Sequence, residues 1–297
     1  MPSAPVIFDR PLLRARRRRA SRLGAADFLL QHAAADLETR LALVTRHFAH
    51  ALDLGTPRAA AGRVVAAQGK ADVVVAAGDD VTDAALGVVA DEEALPFADR
   101  SLDLVVSVLA LQFVNDLPGT LAQIRRALRP DGLFLAALIG GETLTELRSA
   151  FAEAETVIEG GLSPRVVPFA DVRQLGGLLQ RAGFALPVVD TERLTVRYAS
   201  ALALMHDLRR MGATNILTER RRVPLRRETL ARVLQVYADN FSDADGRVRA
   251  TFEIVWLSGW APHPSQQQPL RPGSARQRLA DALGAREWPA GDKPRPS

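Results

Sequence analysis

An α/β fold, a parallel sheet covered by helices on both faces, is what this sequence predicts. Three observations carry it. Short apolar, β-branched runs alternate with segments of helical periodicity from about residue 51 to 159. One of these runs, Leu102 to Leu111, is apolar almost throughout, as expected of a strand buried on both faces. Between the periodic segments stand turn signals such as Pro130-Asp131-Gly132.

The elements follow in order. Arg14, Arg16, Arg17, Arg18, Arg19 and Arg22 form a basic run compatible with a helix, and residues 1–24 read as a basic N-terminal arm. Ala25 to Phe48 carries Phe28, Leu29, Leu37, Leu41, Val44 and Phe48 at helical spacing. Ala51-Leu52-Asp53-Leu54-Gly55 is the first strand of the alternating region, and Ala59 to Ala67 an alanine-rich helix. Asp72 to Ala76 and Leu86 to Ala90 are strand-like. Leu117 to Leu128 is helical and stopped by Pro130, Leu133 to Ile139 is a strand, and Thr143 to Glu159 a helix. Ala170 to Ala182 reads as a helix ended by Gly183, and Pro187 to Tyr198 alternates as a strand does. Ala199 to Met211 and Arg226 to Phe241 read as helices, and Val248 to Trp260 as a strand. The main domain therefore spans 25–260, with a helical insertion at about 199–245. Residues 261–297, rich in Pro, Gly, Gln and Arg, read as a flexible tail with a short helix at Ala275 to Leu283.

A chain of 297 residues at 47% hydrophobic can bury a full core. It has no cysteine, which excludes disulfides, zinc–thiolate sites, iron–sulfur ligation and cysteine nucleophiles. No apolar run reaches the roughly 18–20 residues that span a bilayer, and the first residues lack the apolar stretch of a secretory signal, so a soluble cytoplasmic protein is expected. Nearly all its cations are arginines, the lysines being Lys70 and Lys293. With a net charge of only +4 and no aromatics among the N-terminal arginines, nucleic acid is not the expected partner. A solvated arm or helix face is the plain reading of that run; an anionic membrane surface, met at the inner face of the membrane, an acidic partner or RNA are the sharper ones.

Chemistry is expected at the carboxyl ends of the parallel strands. The first strand ends in Asp53-Leu54-Gly55, where glycine permits a tight turn and close approach of a ligand to the backbone. A helix start follows, presenting free N–H groups. After the next strand stand Asp79 and Asp80, placed to accept from ribose hydroxyls. After the third come Asp91-Glu92-Glu93, within reach of an adenine amino group or a backbone turn.

The order Leu52-Asp53-Leu54-Gly55, Ala90-Asp91-Glu92-Glu93-Ala94-Leu95-Pro96-Phe97, Leu102-Asp103-Leu104-Val105-Val106-Ser107 and Arg129-Pro130-Asp131-Gly132 resembles class I S-adenosylmethionine (SAM)-dependent methyltransferases. Within them the chain is similar to the malonyl-carrier-protein methyltransferases of biotin synthesis, and more so to the methyltransferase-like assembly factors of respiratory complex I. The nearer resemblance rests on Ile7-Phe8-Asp9-Arg10, Phe113-Val114-Asn115-Asp116-Leu117-Pro118, Gly140 to Arg148, Glu159 to Pro164, Asp207 to Gly212 and His263 to Ala275. It implies a Rossmann-like seven-stranded sheet with a helical elaboration in the C-terminal half. It implies S-adenosyl-L-methionine as cofactor, held by Asp53, Gly55, Asp80, Asp91 and Glu92, with the end of the fourth strand nearby at Leu109. Members of the complex I branch are understood to hydroxylate an arginine of a partner subunit, so a side chain in an assembling membrane complex is the implied substrate. A methyltransferase acting on a carrier-protein thioester or small molecule is one alternative, and a non-catalytic scaffold with a degenerate site the other.

One departure stands out. The family expects glycines at alternate positions after the first strand, but this chain reads Gly55-Thr56-Pro57-Arg58-Ala59. Proline brings no N–H and a fixed φ. Arg58 is a candidate to compensate by meeting the methionine carboxylate. Candidates facing the substrate are Gln112, Asn115 and Asp116 after the fourth strand, Glu142 and Arg148 after the fifth, and Ser163 and Arg165 in a possible loop over the site. Asn115 or Asp116 can equally cap the following helix, and Glu142 and Arg148 can form a surface pair or a cap. His47 and His50, three apart, are assigned to helix packing rather than to a metal. No metal is expected, and no catalytic residue is assigned.

Overall fold

The computed structural model describes residues 6–169, 171–267 and 284. They fall into two units, Met1–Pro262 and His263–Ser297. In the second, His263 Nδ1 lies 2.6 Å from Ser265 Oγ in a local turn. The tail helix expected at Ala275 to Leu283 lies outside the described residues.

In the first unit the order is α1 (Arg10–Arg22), α2 (Phe28–Ala42), β1 (Phe48–Leu54), α3 (Ala60–Ala67), β2 (Ala71–Gly78), β3 (Gly87–Val89), β4 (Leu102–Val108), α4 (Leu117–Ala127), β5 (Leu128–Ile139), α5 (Thr145–Glu159), α6 (Val172–Arg181), β6 (Ala185–Tyr198), α7 (Ala201–Arg210), α8 (Arg227–Phe241) and β7 (Val248–Trp260). The seven strands form one sheet, ordered β3-β2-β1-β4-β5-β7-β6. The pairs among β1 to β5 are parallel, and β7 runs antiparallel to both β5 and β6. Strand order reverses between β1 and β4, which opens a crevice beyond their carboxyl ends.

Helices cover both faces. Leu37 and Leu41 of α2 and Ala61 and Val65 of α3 pack on β1, β4 and β5 in one apolar cluster. Leu121 and Ile124 of α4 and Leu175 and Leu179 of α6 pack in another, on the opposite face. The helical elaboration has its own core: α5, α7 and α8 close over Tyr198, Val248, Ala250 and Phe252 of β6 and β7. A smaller cluster joins Phe8 and Leu13 to Phe113, Val167, Ile216 and Leu217, and so fastens α1 to the rest of the unit.

Three boundaries differ most from expectation. β5 begins at Leu128 rather than Leu133, so Pro130-Asp131-Gly132, read as a turn, lies within its span, where the register with β4 shifts. The helical periodicity of Ala25 to Phe48 ends at Ala42, because Phe48 opens β1, pairs with Ala71 and is buried there. The run Leu102 to Leu111 stops as a strand at Val108, where Leu109 turns the chain with φ +52°. The histidine assignment also changes. His47 lies in the loop before β1, 2.8 Å from Asp72, and His50 lies within β1, so neither packs on a helix. Among the described residues no helix is long and apolar enough to cross a membrane, and no group of three or more His, Asp or Glu could hold a metal.

Candidate functional site

The crevice at the switch point is a cavity of about 500 Å³, within the size range of small-molecule sites. Its floor is the carboxyl end of the sheet: Asp53 of β1 and Gly55 after it, Gly78 of β2 with Asp79 and Asp80 after it, Leu109 after β4 and Ile139 of β5. Its roof comes from both halves of the unit, with Arg14, Arg17 and Arg18 of α1, Leu208 and Arg210 to Ala213 at the end of α7, and Phe252 of β7.

The β1 end is tightly built. Ser107 Oγ donates to the Leu54 carbonyl at 2.7 Å, and the Val108 N–H donates to Thr56 Oγ1 at 2.9 Å, tying β1 to β4. Gly55 has φ +68°, and a Cβ there would lie 2.7 Å from Glu92 Oε1, so only glycine fits. A Cβ on Gly78 would lie 3.2 Å from the Gly55 Cα; the two loops meet backbone to backbone. Asp53 is buried. Its Oδ2 accepts from the Gly62 N–H at 2.7 Å, while Oδ1 has no partner. Burial pushes its carboxyl up to about 6, partly offset by the nearby Thr56 and the Gly62 N–H.

The altered glycine loop keeps a glycine-like path without glycines. Pro57 opens a single 3-10 turn, and Arg58 (φ +58°) and Ala59 (φ +49°) both take the left-handed conformation. Arg58 lines the cavity, but its guanidinium bridges Asp27 at 3.3 Å and Asp83 at 3.2 Å.

The remaining candidates divide clearly. Asp80 is exposed at the cavity edge, its Oδ1 accepting only from the Thr82 N–H and hydroxyl. Gln112, in a one-turn helix after β4, lines the cavity with its Oε1 buried and unpartnered. Asp91 and Glu92 are not in the lining. Arg10, the first residue of α1, pairs with both and reaches Glu93 at 3.3 Å. Burial opposes ionisation of Asp91, but the Glu93 N–H and Arg10 outweigh it and hold its carboxyl below the usual range.

Asn115 faces the N-terminal segment rather than the cavity: Oδ1 accepts from the N–H groups of Ile7 and Phe8 at 2.8 and 2.7 Å. Asp116 caps α4 through the Gly119 N–H, at 2.8 Å. Glu142 is exposed, 3.9 Å from Arg193, and Arg148 donates to the carbonyls of Gly141 and Thr143. The Ser163 N–H and the Arg165 guanidinium both bind the buried Glu155 at 2.7 Å and pin their loop to α5. None of these six lines the cavity.

What sequence reasoning missed is the roof. The N-terminal arginines belong to α1, where Arg17 stands 3.6 Å from Asp79 and 5.9 Å over the Phe113 ring. The signal was present as the pairing of Arg10 and Arg17 with acids at two strand ends, but it joins residues more than sixty positions apart.

Sheet order, crevice and strand-end acids define an α/β protein of the class I methyltransferase fold. Residues 45–136 match a methyltransferase domain. Two solved structures share the fold: the YcgJ protein of Bacillus subtilis (TM-score 0.54, 14% identity, 78% of this chain and 99% of that one) and a Bacillus halodurans protein assigned as a methyltransferase (TM-score 0.53, 16% identity, 77% and 99%). The arginine-hydroxylase NDUFAF5 of Danio rerio, a mitochondrial protein, is 36% identical over 93% of this chain and 89% of its own length; that of Homo sapiens is 40% identical over 91% and 81%. The chain belongs to the NDUFAF5 arginine-hydroxylase family. A malonyl-[acyl-carrier protein] O-methyltransferase of Xylella fastidiosa is also similar, at 41% identity over 58% of this chain and 56% of its own length.

Proposed function

We propose that the chain binds S-adenosyl-L-methionine in this cavity and modifies an arginine side chain of a respiratory complex I subunit during assembly. The observation that carries the cofactor half is the cavity itself, about 500 Å³ at the carboxyl ends of β1, β2 and β4, where the Gly55 and Gly78 backbones are laid bare. Two features fit with it: Asp53 at the end of β1 on the cavity floor, and Asp80, exposed at the cavity edge with its Oδ1 engaged by Thr82, for a ribose diol. The β3 end does not contribute, because Arg10 takes Asp91 and Glu92. When bound, SAM would supply a sulfonium-activated methyl group for transfer to a side-chain nitrogen, leaving S-adenosylhomocysteine and a proton, whereas hydroxylation of the arginine would need an oxidant besides SAM. The chain supplies position and a wall that excludes water: Leu109, Phe113, Ile139, Phe169 and Phe252 give the cavity an apolar side. The arginine half is supported by relatives named arginine-hydroxylases that match nearly the whole chain, whereas the carrier-protein relative matches little more than half.

A second reading, a scaffold with a lapsed cofactor site, is favoured by Pro57, which withdraws one loop N–H. Calorimetry with SAM and S-adenosylhomocysteine separates the two. Saturable binding, weakened about ten- to a hundredfold in Asp80→Ala, is expected. No heat at millimolar ligand would leave only the scaffold. Deleting the gene is expected to lower assembled complex I and to remove the modified arginine from peptide mass spectra.

A further inference from the structure

The arginines of α1 divide into two sets. Arg10 is engaged by Asp91 and Glu92, Arg16 by the Asn215 carbonyl and Arg17 by Asp79. The guanidinium groups of Arg14, Arg18 and Arg22 make no hydrogen bond or ion pair among the described residues. Asp91 feels Arg14 only through longer-range attraction, behind that of Arg10. Residues 14, 18 and 22 follow at intervals of four, so they form one stripe of the helix, about 6 Å apart along its axis. The stripe starts inside the cavity, which Arg14 and Arg18 line, and ends beyond it at the exposed Arg22. Like charges four residues apart on a helix repel. The acids around them are already taken, Asp79 by Arg17, Asp27 by Arg58 and Asp207 by Arg210. The complement of the stripe is therefore an anion from outside the chain.

We infer that Arg14, Arg18 and Arg22 receive an extended acidic segment of the substrate polypeptide, with carboxylates at alternate positions, and lead it into the cavity. This rests on the protein-substrate reading above and deepens it by naming what flanks the modified side chain. Alternate side chains of an extended chain point the same way about 6.6 Å apart, close to the spacing of the stripe. Each carboxylate can accept two N–H groups of one guanidinium at once. A single strand of RNA would need rings to stack on, and α1 contains no aromatic residue.

The test uses the full chain and a hexapeptide of alternating Asp and Ser, blocked at both ends and carrying a neutral dye, followed by fluorescence anisotropy. Its Asn–Ser counterpart is the uncharged control. The native chain is expected to bind the acidic peptide about tenfold more tightly than the control, and to lose that margin as salt is raised. Arg14→Gln, the half-buried position, is expected to weaken the acidic peptide about tenfold, and Arg18→Gln and Arg22→Gln about two- to fivefold each. Arg19→Gln removes the same charge from another side of the helix and is expected to change the affinity less than about twofold. Unfolding temperatures confirm that the variants fold. Equal binding of the two peptides, or an Arg19→Gln as weak as Arg14→Gln, would overturn the inference. Two parallel arms separate other anions. S-adenosylhomocysteine is expected to bind all four variants as it binds the native chain; weakening by Arg14→Gln and Arg18→Gln would give that pair to the cofactor and overturn the inference. Vesicles of phosphatidylcholine and phosphatidylserine that follow the same order of variants, with no peptide binding, would put a membrane surface in the peptide's place. No S-adenosylhomocysteine binding by the native chain, with the peptide order intact, would overturn the cofactor reading alone.

Discussion

Burial holds the Asp53 carboxyl at about 6, against 3.8 for a free aspartate. The sign follows from linkage. Between these values the folded chain keeps a proton that the unfolded chain releases, so this group's contribution to stability falls as pH rises and levels off above about 6. The difference corresponds to on the order of 3 kcal/mol. Asp53→Asn keeps an acceptor for the Gly62 N–H and removes the charge. It is expected to stabilise the ligand-free protein by up to that amount at pH 7.5 and to leave it unchanged below pH about 3.8, while weakening SAM binding. Urea unfolding of both proteins across this range checks it; parallel curves would mean that Asp53 is not held protonated by the fold. A second residue-level prediction concerns Ala59, whose φ of +49° suits glycine better than alanine. Ala59→Gly is expected to gain about 0.5–1 kcal/mol, read as a raised unfolding temperature. At this scale the sequence was a partial guide. Asp53, Gly55 and Asp80 were legible because each sits in a local strand-end context. Arg58 was legible as a cation but not as a paired one, since Asp27 and Asp83 approach it from separate segments.

Among the elements, α1 departs furthest from its sequence reading. Six arginines near the start suggested a solvated arm, yet α1 is fastened at several points. Arg10 reaches the acids after β3, Arg17 reaches Asp79, and Arg220 pairs with Asp9 at 3.1 Å. The Asp9 N–H donates to the Ile216 carbonyl at 2.8 Å. Composition could not show this, because exposed and docked arginines look alike in a run; Arg18, Arg19 and Arg22 of the same helix are exposed. Arg10→Ala would leave three carboxylates together, Glu92 among them buried, and is expected to cost about 2–4 kcal/mol. Arg10→Lys is expected to recover only part of that, since one ammonium cannot reproduce the guanidinium fork. Hydrogen exchange should show Arg10 to Arg22 losing protection in Arg10→Ala before the sheet does. A sheet that loosens together with α1 would mean the helix is not a separable cover. The strands, by contrast, were legible as elements, though β1 and β5 begin before the runs that marked them: a central strand buried on both faces writes itself as an apolar run, as in β4, all seven of whose residues are buried.

Across the whole molecule, the cavity joins parts far apart in the chain. Its floor comes from β1, β2, β4 and β5, and its roof from α1, the end of α7 and Phe252 of β7. The floor could be read from sequence because strand order and strand-end residues follow the α/β pattern. The roof could not, because its pieces meet only through the core that joins Phe8 and Leu13 to Ile216 and Leu217. A ligand between floor and roof touches both halves, so its binding energy must appear in both. At a free concentration about one hundred times Kd, S-adenosylhomocysteine is expected to stabilise the fold by about 2.7 kcal/mol, raising the unfolding temperature by about 5–10 °C. Exchange should slow together in β1, α1 and residues 208–213, because opening any one of them exposes the ligand. Protection confined to β1 and β2 would mean that the ligand sits on an open strand edge and that α1 serves another purpose.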